Sequence, residues 1–283
     1  MKNHKKKYIE EAVMKGIMFL CVFLVLAFVV TIIWTIFAKG LKSISWEMVS
    51  SVPGPDFNTR DDGGFLNAIV GSILVVVPST VIAVLVSVPV VFYITLYRRR
   101  TDKLSYVARL AYDVLYGIPS IVYGAFAFAV MVYVGMRASL LGGIIVTTLL
   151  MIPMLIRSGD EIAKTIPDEI GEAAYSLGAT KYETMKVILR QAFPGMITAT
   201  LLALGRAIGD AAGVMFTAGF SDAIPKTLSQ PVATLPLAIF NWVTMPAPFP
   251  DRAYAAALVL SVIVLLLSIG GRLISNHFSK NNL

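Results

Sequence analysis

Residues 157–193, RSGDEIAKTIPDEIGEAAYSLGATKYETMKVILRQAF, decide the architecture of this chain. They lie between two apolar runs and read as two short helices joined at a glycine. Thr165-Ile166-Pro167-Asp168 has the Ser/Thr-x-x-Asp/Glu spacing of a capping box, with proline in the first helical turn. Glu169, Glu172 and the apolar set Ile170, Ala173, Ala174 and Leu177 follow at helical spacing, and Gly178 stands where a left-handed C-terminal residue belongs. Thr180-Lys181-Tyr182-Glu183 is a second capping box, and it opens a helix that Pro194 is expected to stop. Pattern alone also describes an amphipathic connector resting on a bilayer surface.

What flanks the stretch is apolar. Of 283 residues, 57% are hydrophobic and 14% charged, and the mean hydropathy is +0.77. Soluble domains carry about 25% charged residues, so the polar cover for a globule of this size is missing. Several charge-free runs reach the ~20 residues that cross ~30 Å of hydrocarbon. Composition therefore excludes a disordered protein, a disulfide scaffold and a soluble enzyme. Cys21 is the only cysteine, and the two histidines, His4 and His277, lie near the ends. This is an all-α integral membrane protein.

The runs are Ile17–Ala38; Leu66–Tyr97, over-long and broken by Pro78 and Pro89; Val114–Met136; Ala138–Ile156; about Gly195–Phe220; and Ala253–Gly271. Six transmembrane helices place both termini on one side. That side carries Lys2, Lys5, Lys6, Lys7 and Lys15, then Arg98–Arg100, Lys103 and Arg109, then Arg157, Lys164, Lys181, Lys186 and Arg190, and finally Arg272 and Lys280. The opposite side has only Lys39, Lys42, Arg60, Arg137, Lys226 and Arg252. The positive-inside rule puts both termini and residues 157–193 in the cytoplasm of a multi-pass protein of the cytoplasmic membrane. The net charge of +7 reads as orientation and contact with membrane lipid. No nucleic acid is expected as a partner, because a loop tethered to spans at both ends cannot dock in a groove. The first run exceeds a signal-peptide core, and no A-x-A-like site follows it.

The fifth run is apolar except for Arg206 and Asp210. A charge near the bilayer centre costs about 2.5–3.5 kcal/mol even on a lenient scale. Four residues apart on one helix, the two side chains share a face and can pair. Gly205, Gly209 and Gly213 form a ridge on a neighbouring stripe, suited to close helix packing. One reading is a structural ion pair; the other is an anion site. A guanidinium offers a fork of donors that suits tetrahedral oxyanions and keeps its proton. Asp210 would hold Arg206 when no anion is bound, and would accept a hydrogen bond from protonated phosphate, which sulfate lacks. Gly117-Ile118-Pro119-Ser120 is the candidate for a functional helix break, with Ser120 and nearby amides as further donors to an anion, whereas Pro78 and Pro89 read as ordinary kinks. Asp113 is expected in a cytoplasmic-side cap or loop contact.

Glu172-Ala173-Ala174, Gly178 four residues later and Ile188 ten after that resemble the E-A-A-x-x-x-G…I-x-L-P loop of ABC importer permeases; Arg190 and Gln191 replace the final leucine and proline. The resemblance narrows to phosphate-importer permeases. Gly205-Arg206-Ala207-Ile208-Gly209-Asp210 is similar to their G-R-A-I-G-E segment, with Asp for Glu, and Tyr116-Gly117-Ile118-Pro119-Ser120-Ile121-Val122-Tyr123-Gly124 to their G-[VI]-P-S-[IV]-[VI]-x-G segment. Thr234–Trp242 resembles the PstA-type subunit more than the partner PstC type. The likeness runs from about Leu66 to Arg272.

It implies a type I ABC importer permease with a MetI-like domain over residues 66–275. Residues 1–65 would precede that domain as N-terminal arm, first helix and outer loop, and residues 276–283 would follow it as a tail. Residues 157–194 would be the coupling loop, presenting Glu172, Ala173, Ala174 and Gly178 to a separate ATPase. The implied partners are a homologous PstC-type permease in a heterodimer, two ATPase subunits, and an extracytoplasmic phosphate-binding protein met by the loop Asp56–Gly64. The chain itself would bind no cofactor and no metal and catalyse nothing; ATP and Mg would sit on the partner subunits, since no Gly is followed by Lys and the G-x-x-x-x-G-K-[ST] loop is missing. A permease for another oxyanion or small solute, and an ion-coupled secondary carrier, stay open on the residues alone.

Overall fold

The computed structural model describes residues 2–54, 63–97, 103–245 and 249–280. Ten helices carry the described chain: α1 (Lys2–Ser43), α2 (Trp46–Ser50), α3 (Leu66–Phe92, extended by a π-helical turn Tyr93–Tyr97), α4 (Lys103–Gly117), α5 (Ser120–Tyr133), α6 (Leu140–Thr165), α7 (Asp168–Ser176), α8 (Lys181–Ile208), α9 (Leu235–Thr244) and α10 (Pro250–Lys280). There is no strand among the described residues, only a bridge between Pro53 and Gly63. The loop Asp56–Asp62, Arg98–Arg100, Pro246 and Pro248 lie outside them.

By length and composition α1, α3, α6, α8 and α10 can each cross a membrane, and α4 with α5, bent by 98° between them, raises the number to as many as six. Contacts fix their directions. Gly159 of α6 meets Val91 of α3, and Gly143 meets Val75, so α3 and α6 run parallel. The hydroxyls of Ser79 and Ser87 donate to the carbonyls of Ile144 and Ile152, at 3.0 and 3.3 Å. Small residues that allow close approach and hydroxyls that bond across the interface are how membrane helices hold together. Gly195 of α8 packs on Ile162, and Ala203 clusters with Met151 and Leu155, so α8 runs antiparallel to α6. α10 reverses again, with Gly271 against Leu201. Among the described residues α1 meets the bundle at its C-terminal end, where Lys39 lies over the Tyr254 ring at 4.7 Å, and its apolar length before that is exposed.

Several sequence expectations need correction. Pro78 and Pro89 do not break the second run, since α3 passes through both. Pro194 does not stop its helix: α8 continues to Ile208, and the Thr198 hydroxyl donates to the Pro194 carbonyl at 3.1 Å. Membrane helices tolerate such a missing bond when neighbours cover the backbone, and Pro194 is buried. The first capping box is not formed. Thr165 belongs to the last turn of α6 and sends its hydroxyl back to Ile162, leaving Pro167 as an N-cap without a side-chain bond. The third run does not begin at Val114: helix starts at Lys103 and turns sharply at Ile118-Pro119. The fifth run leaves helical form at Gly209, not near Phe220, and residues 209–234 run without regular structure to α9. That segment is nevertheless core, with Val214, Thr217, Ala218 and Val232 buried. α9, a short helix not foreseen, buries Trp242 against Phe65, Ala253 and Ala256.

Candidate functional site

α8 breaks at Gly209, and the chain runs on without regular structure to α9. At this break Arg206 and Asp210 line a narrow cavity together with Tyr116, Ile118, Ser120, Tyr123, Thr147 and Met151. Two broken elements meet here: the end of α8, and the elbow between α4 and α5. Non-helical backbone in a membrane protein is tolerated where it lines a cavity or is covered by protein.

Arg206 and Asp210 share the cavity, yet no ion pair joins them among the described residues. Asp210 lies past the end of the helix, so the i,i+4 face does not exist. Its Oδ2 accepts the Gly213 N–H at 2.9 Å, a local turn that helps end α8. Arg206 instead meets Tyr116. Its guanidinium stands 5.5 Å from the ring centre, and its Nη1 is 3.5 Å from the phenolic oxygen. Ser120 is the first residue of α5, whose N-terminus has no side-chain cap. The first amides of α5, with the positive end of its dipole, therefore accompany the guanidinium, an arrangement that favours an anion.

The glycines form no single ridge, because only Gly205 is inside the helix. A Cβ at Gly205 would meet nothing closer than Val264, 4.0 Å away, and at Gly209 only the chain's own carbonyls. Gly213 is the position of close approach: a Cβ there would lie 2.6 Å from Asp210 Oδ2 and 2.8 Å from Leu150 Cδ1.

Far along α6 is the helix–Gly–helix loop. α7 carries Glu172, Ala173 and Ala174, and Gly178 has φ +82°, the left-handed turn foreseen for it. Ala179 N–H returns to the Ala174 carbonyl at 3.1 Å. The second capping box is complete: Thr180 accepts the Glu183 N–H at 3.4 Å, and Glu183 accepts the Thr180 N–H at 2.8 Å. Leu177, on the apolar set of the sequence pattern, is 89% exposed beside exposed Tyr175. The tip of the loop thus presents apolar side chains outward.

Two groups escaped sequence reading. Tyr116 holds Arg157 at 4.8 Å on its ring as well as Arg206; its place directly before the Gly117–Pro119 break was the available signal. Asp160, 1% exposed in α6, accepts hydrogen bonds from Thr95, Arg109 and Tyr112 and pairs with Lys164. Its signal was an aspartate three residues after Arg157 and four before Lys164. Asp113, expected in a cap or loop contact, pairs with Arg157 at 3.6 Å.

The family of binding-protein-dependent transport system inner membrane components matches residues 87–281. The chain belongs to this family. The permease is 31% identical to the phosphate transport system permease protein PstA of Pasteurella multocida, over 96% of each chain. It is 34% identical to PstA of Yersinia pestis, over 86% of this chain and 83% of that one, and 35% identical to PstA 2 of Mycobacterium tuberculosis, over 75% and 72%. It groups with the PstA-type permeases. Inward-facing structures of the MetNI methionine ABC transporter share the fold. One has a TM-score of 0.65 at 19% identity, over 75% of this permease and 95% of that chain. The architecture is therefore that of MetI-type ABC importer permeases, in a multi-pass protein of the cell membrane.

Proposed function

We propose that this permease is the PstA-like half of an ATP-driven importer that carries inorganic phosphate across the cytoplasmic membrane. Both termini and α7 would face the cytoplasm. A PstC-type permease would complete the pathway, two ATPase subunits would grip α7, and a phosphate-binding protein would deliver cargo on the outer face. The relatives named for phosphate transport support the cargo, and the asymmetry of lysines and arginines supports the orientation.

The observation that carries the reading is the pairing of Arg206 with the uncapped N-terminus of α5 around one cavity, while Asp210 is engaged by Gly213. A guanidinium without a carboxylate on it can receive an oxyanion, and backbone amides add donors without adding charge. Alternating access would expose this cavity to each side in turn, α7 relaying nucleotide-driven closure to α6 and α8. Of the residues proposed for the path, Arg206 supplies charge, Ser120 and its neighbours supply donors, and Asp210 shapes the turn while offering a second oxygen to protonated phosphate. Gly205, Gly209 and Gly213 would serve packing around it.

The test is uptake of radiolabelled phosphate into proteoliposomes holding the co-purified importer. The reading expects uptake that requires ATP and the ATPase subunits, is not competed by excess sulfate, and falls at least about tenfold in Arg206→Ala. Uptake that follows an ion gradient without ATP would overturn it, and strong sulfate competition would overturn the selectivity.

A further inference from the structure

Arg109, Tyr112, Asp113 and Tyr116 lie three, four and seven residues apart on α4, which puts them on one helical face. That face is fastened to α6. The Arg109 fork holds both oxygens of Asp160, Nη2 to Oδ1 at 3.0 Å and Nε to Oδ2 at 3.1 Å. Tyr112 donates to Oδ2 at 2.7 Å, Thr95 donates to Oδ1 at 3.0 Å from the π-helical turn after α3, and Lys164 pairs with Oδ2. Beyond this node Asp113 pairs with Arg157, and the Tyr116 ring lies under both Arg157 and Arg206. α4 then ends at the elbow from which α5 opens onto the cavity.

Adhesion alone does not call for this node. Tyr112 already packs on Val91 and Ile156, and a buried ion pair is weak evidence for stability because desolvation offsets its attraction. What a bidentate fork adds is direction. It fixes the rotation of α4 about its own axis, and that rotation decides where Tyr116, two turns on, points. The other end of the connection is short too: Asp160 lies in the last turns of α6, which leads through Ile166 and Pro167 into α7.

We propose that Asp160 is the positioning residue that carries movement of α7 to Tyr116, and through Tyr116 to Arg206 at the cavity. α4 acts as a crosswise lever: its grip is the Asp160 node, and its working end is the tyrosine under the guanidinium. This rests on the reading that α7 receives the push and Arg206 lines the path.

The experiment uses the complete importer in proteoliposomes, in a Cys21→Ser background with Leu115→Cys as a reporter beside Tyr116. Phosphate uptake, ATP hydrolysis and maleimide labelling of the reporter with and without ATP are read on the same preparations. In Asp160→Asn, uptake per ATP hydrolysed is expected to fall about tenfold, a size within reach of coupling through packed networks. ATP hydrolysis should stay within about twofold, and the ATP-dependent change in labelling should disappear. Asp160→Glu, which restores the charge, should recover part of the ratio, and Tyr112→Phe, which removes one donor only, should lower it by a smaller factor. An unchanged uptake-to-hydrolysis ratio with ATP-responsive labelling in Asp160→Asn would overturn the proposal. If Asp160→Asn does not assemble, Tyr112→Phe decides: a ratio equal to that of the parent overturns the lever. Arg206→Ala separates the two readings, since it should abolish uptake while the reporter still responds to ATP. If Arg206→Ala transports normally and Asp160→Asn still uncouples, the anion site and the last link to Arg206 fail, and the connection from α7 through Asp160 to Tyr116 stands.

Discussion

The Asp210 carboxylate accepts the Gly213 N–H, 2.9 Å away, and does not pair with the arginine four residues before it. The two charges of the fifth apolar run are thereby separated in role. Arg206 remains at the cavity beside Tyr116, and Asp210 shapes the turn that ends α8. An asparagine keeps the acceptor oxygen, so Asp210→Asn should retain most of the stability and a substantial part of the uptake. Asp210→Ala loses the bond and should destabilise the permease by about 1–3 kcal/mol. Thermal melts of the solubilised complex, beside uptake assays, check this. Equal damage from Asn and Ala would restore Asp210 as the counter-ion of Arg206.

The glycines of this region are expected to differ sharply. Gly213→Ala places a methyl group 2.6 Å from Asp210 Oδ2 and 2.8 Å from Leu150. It should cost about 1–3 kcal/mol through overpacking. Gly205→Ala has open space to Val264 inside a helix, where alanine is favoured over glycine by about 1 kcal/mol. It should leave melting unchanged or raise it. Comparable losses at both positions would mean that the glycines act as one packing stripe.

The first, second, fourth and sixth runs were legible because charge-free length is a direct reading of a hydrocarbon requirement, and the helix–Gly–helix loop because Thr180, Glu183 and Gly178 are local signals with local causes. The sites of failure share a different cause. Pro194 and Thr165 carry the usual marks of a helix boundary, but burial of Pro194 and the extra last turn of α6 override them. Asp210 sits at helical spacing from Arg206, and nothing in the spacing reveals that its side chain takes the Gly213 amide. Asp160 belongs to no local motif; its four partners come from three separate elements, and such convergence is written in the packing rather than in the sequence. Tyr116 stands in the segment of the proline break, but nothing in that segment reveals the two guanidiniums over its ring.

The loop tip tests its own geometry. Gly178 holds φ +82°, a conformation that costs an alanine roughly 1–2 kcal/mol; asparagine tolerates it better. Gly178→Ala should therefore reduce ATP-driven uptake more than Gly178→Asn. Thr180→Ala, which removes one half of the capping box, should destabilise the start of α8 by about 1 kcal/mol. Uptake and hydrolysis measured together check both, and identical effects of Ala and Asn at Gly178 would show that backbone conformation is not what the loop requires.

Site-directed cross-linking at Leu177, the exposed apolar tip of α7, reaches the central claim most directly. In a Cys21→Ser background, a Leu177→Cys permease in intact cells should be inaccessible to a membrane-impermeant thiol reagent. In inverted vesicles it should cross-link to a co-assembled nucleotide-hydrolysing subunit. Labelling of position 177 from the outside of intact cells, or a fully assembled, phosphate-transporting complex in which it contacts no such subunit, would contradict the account.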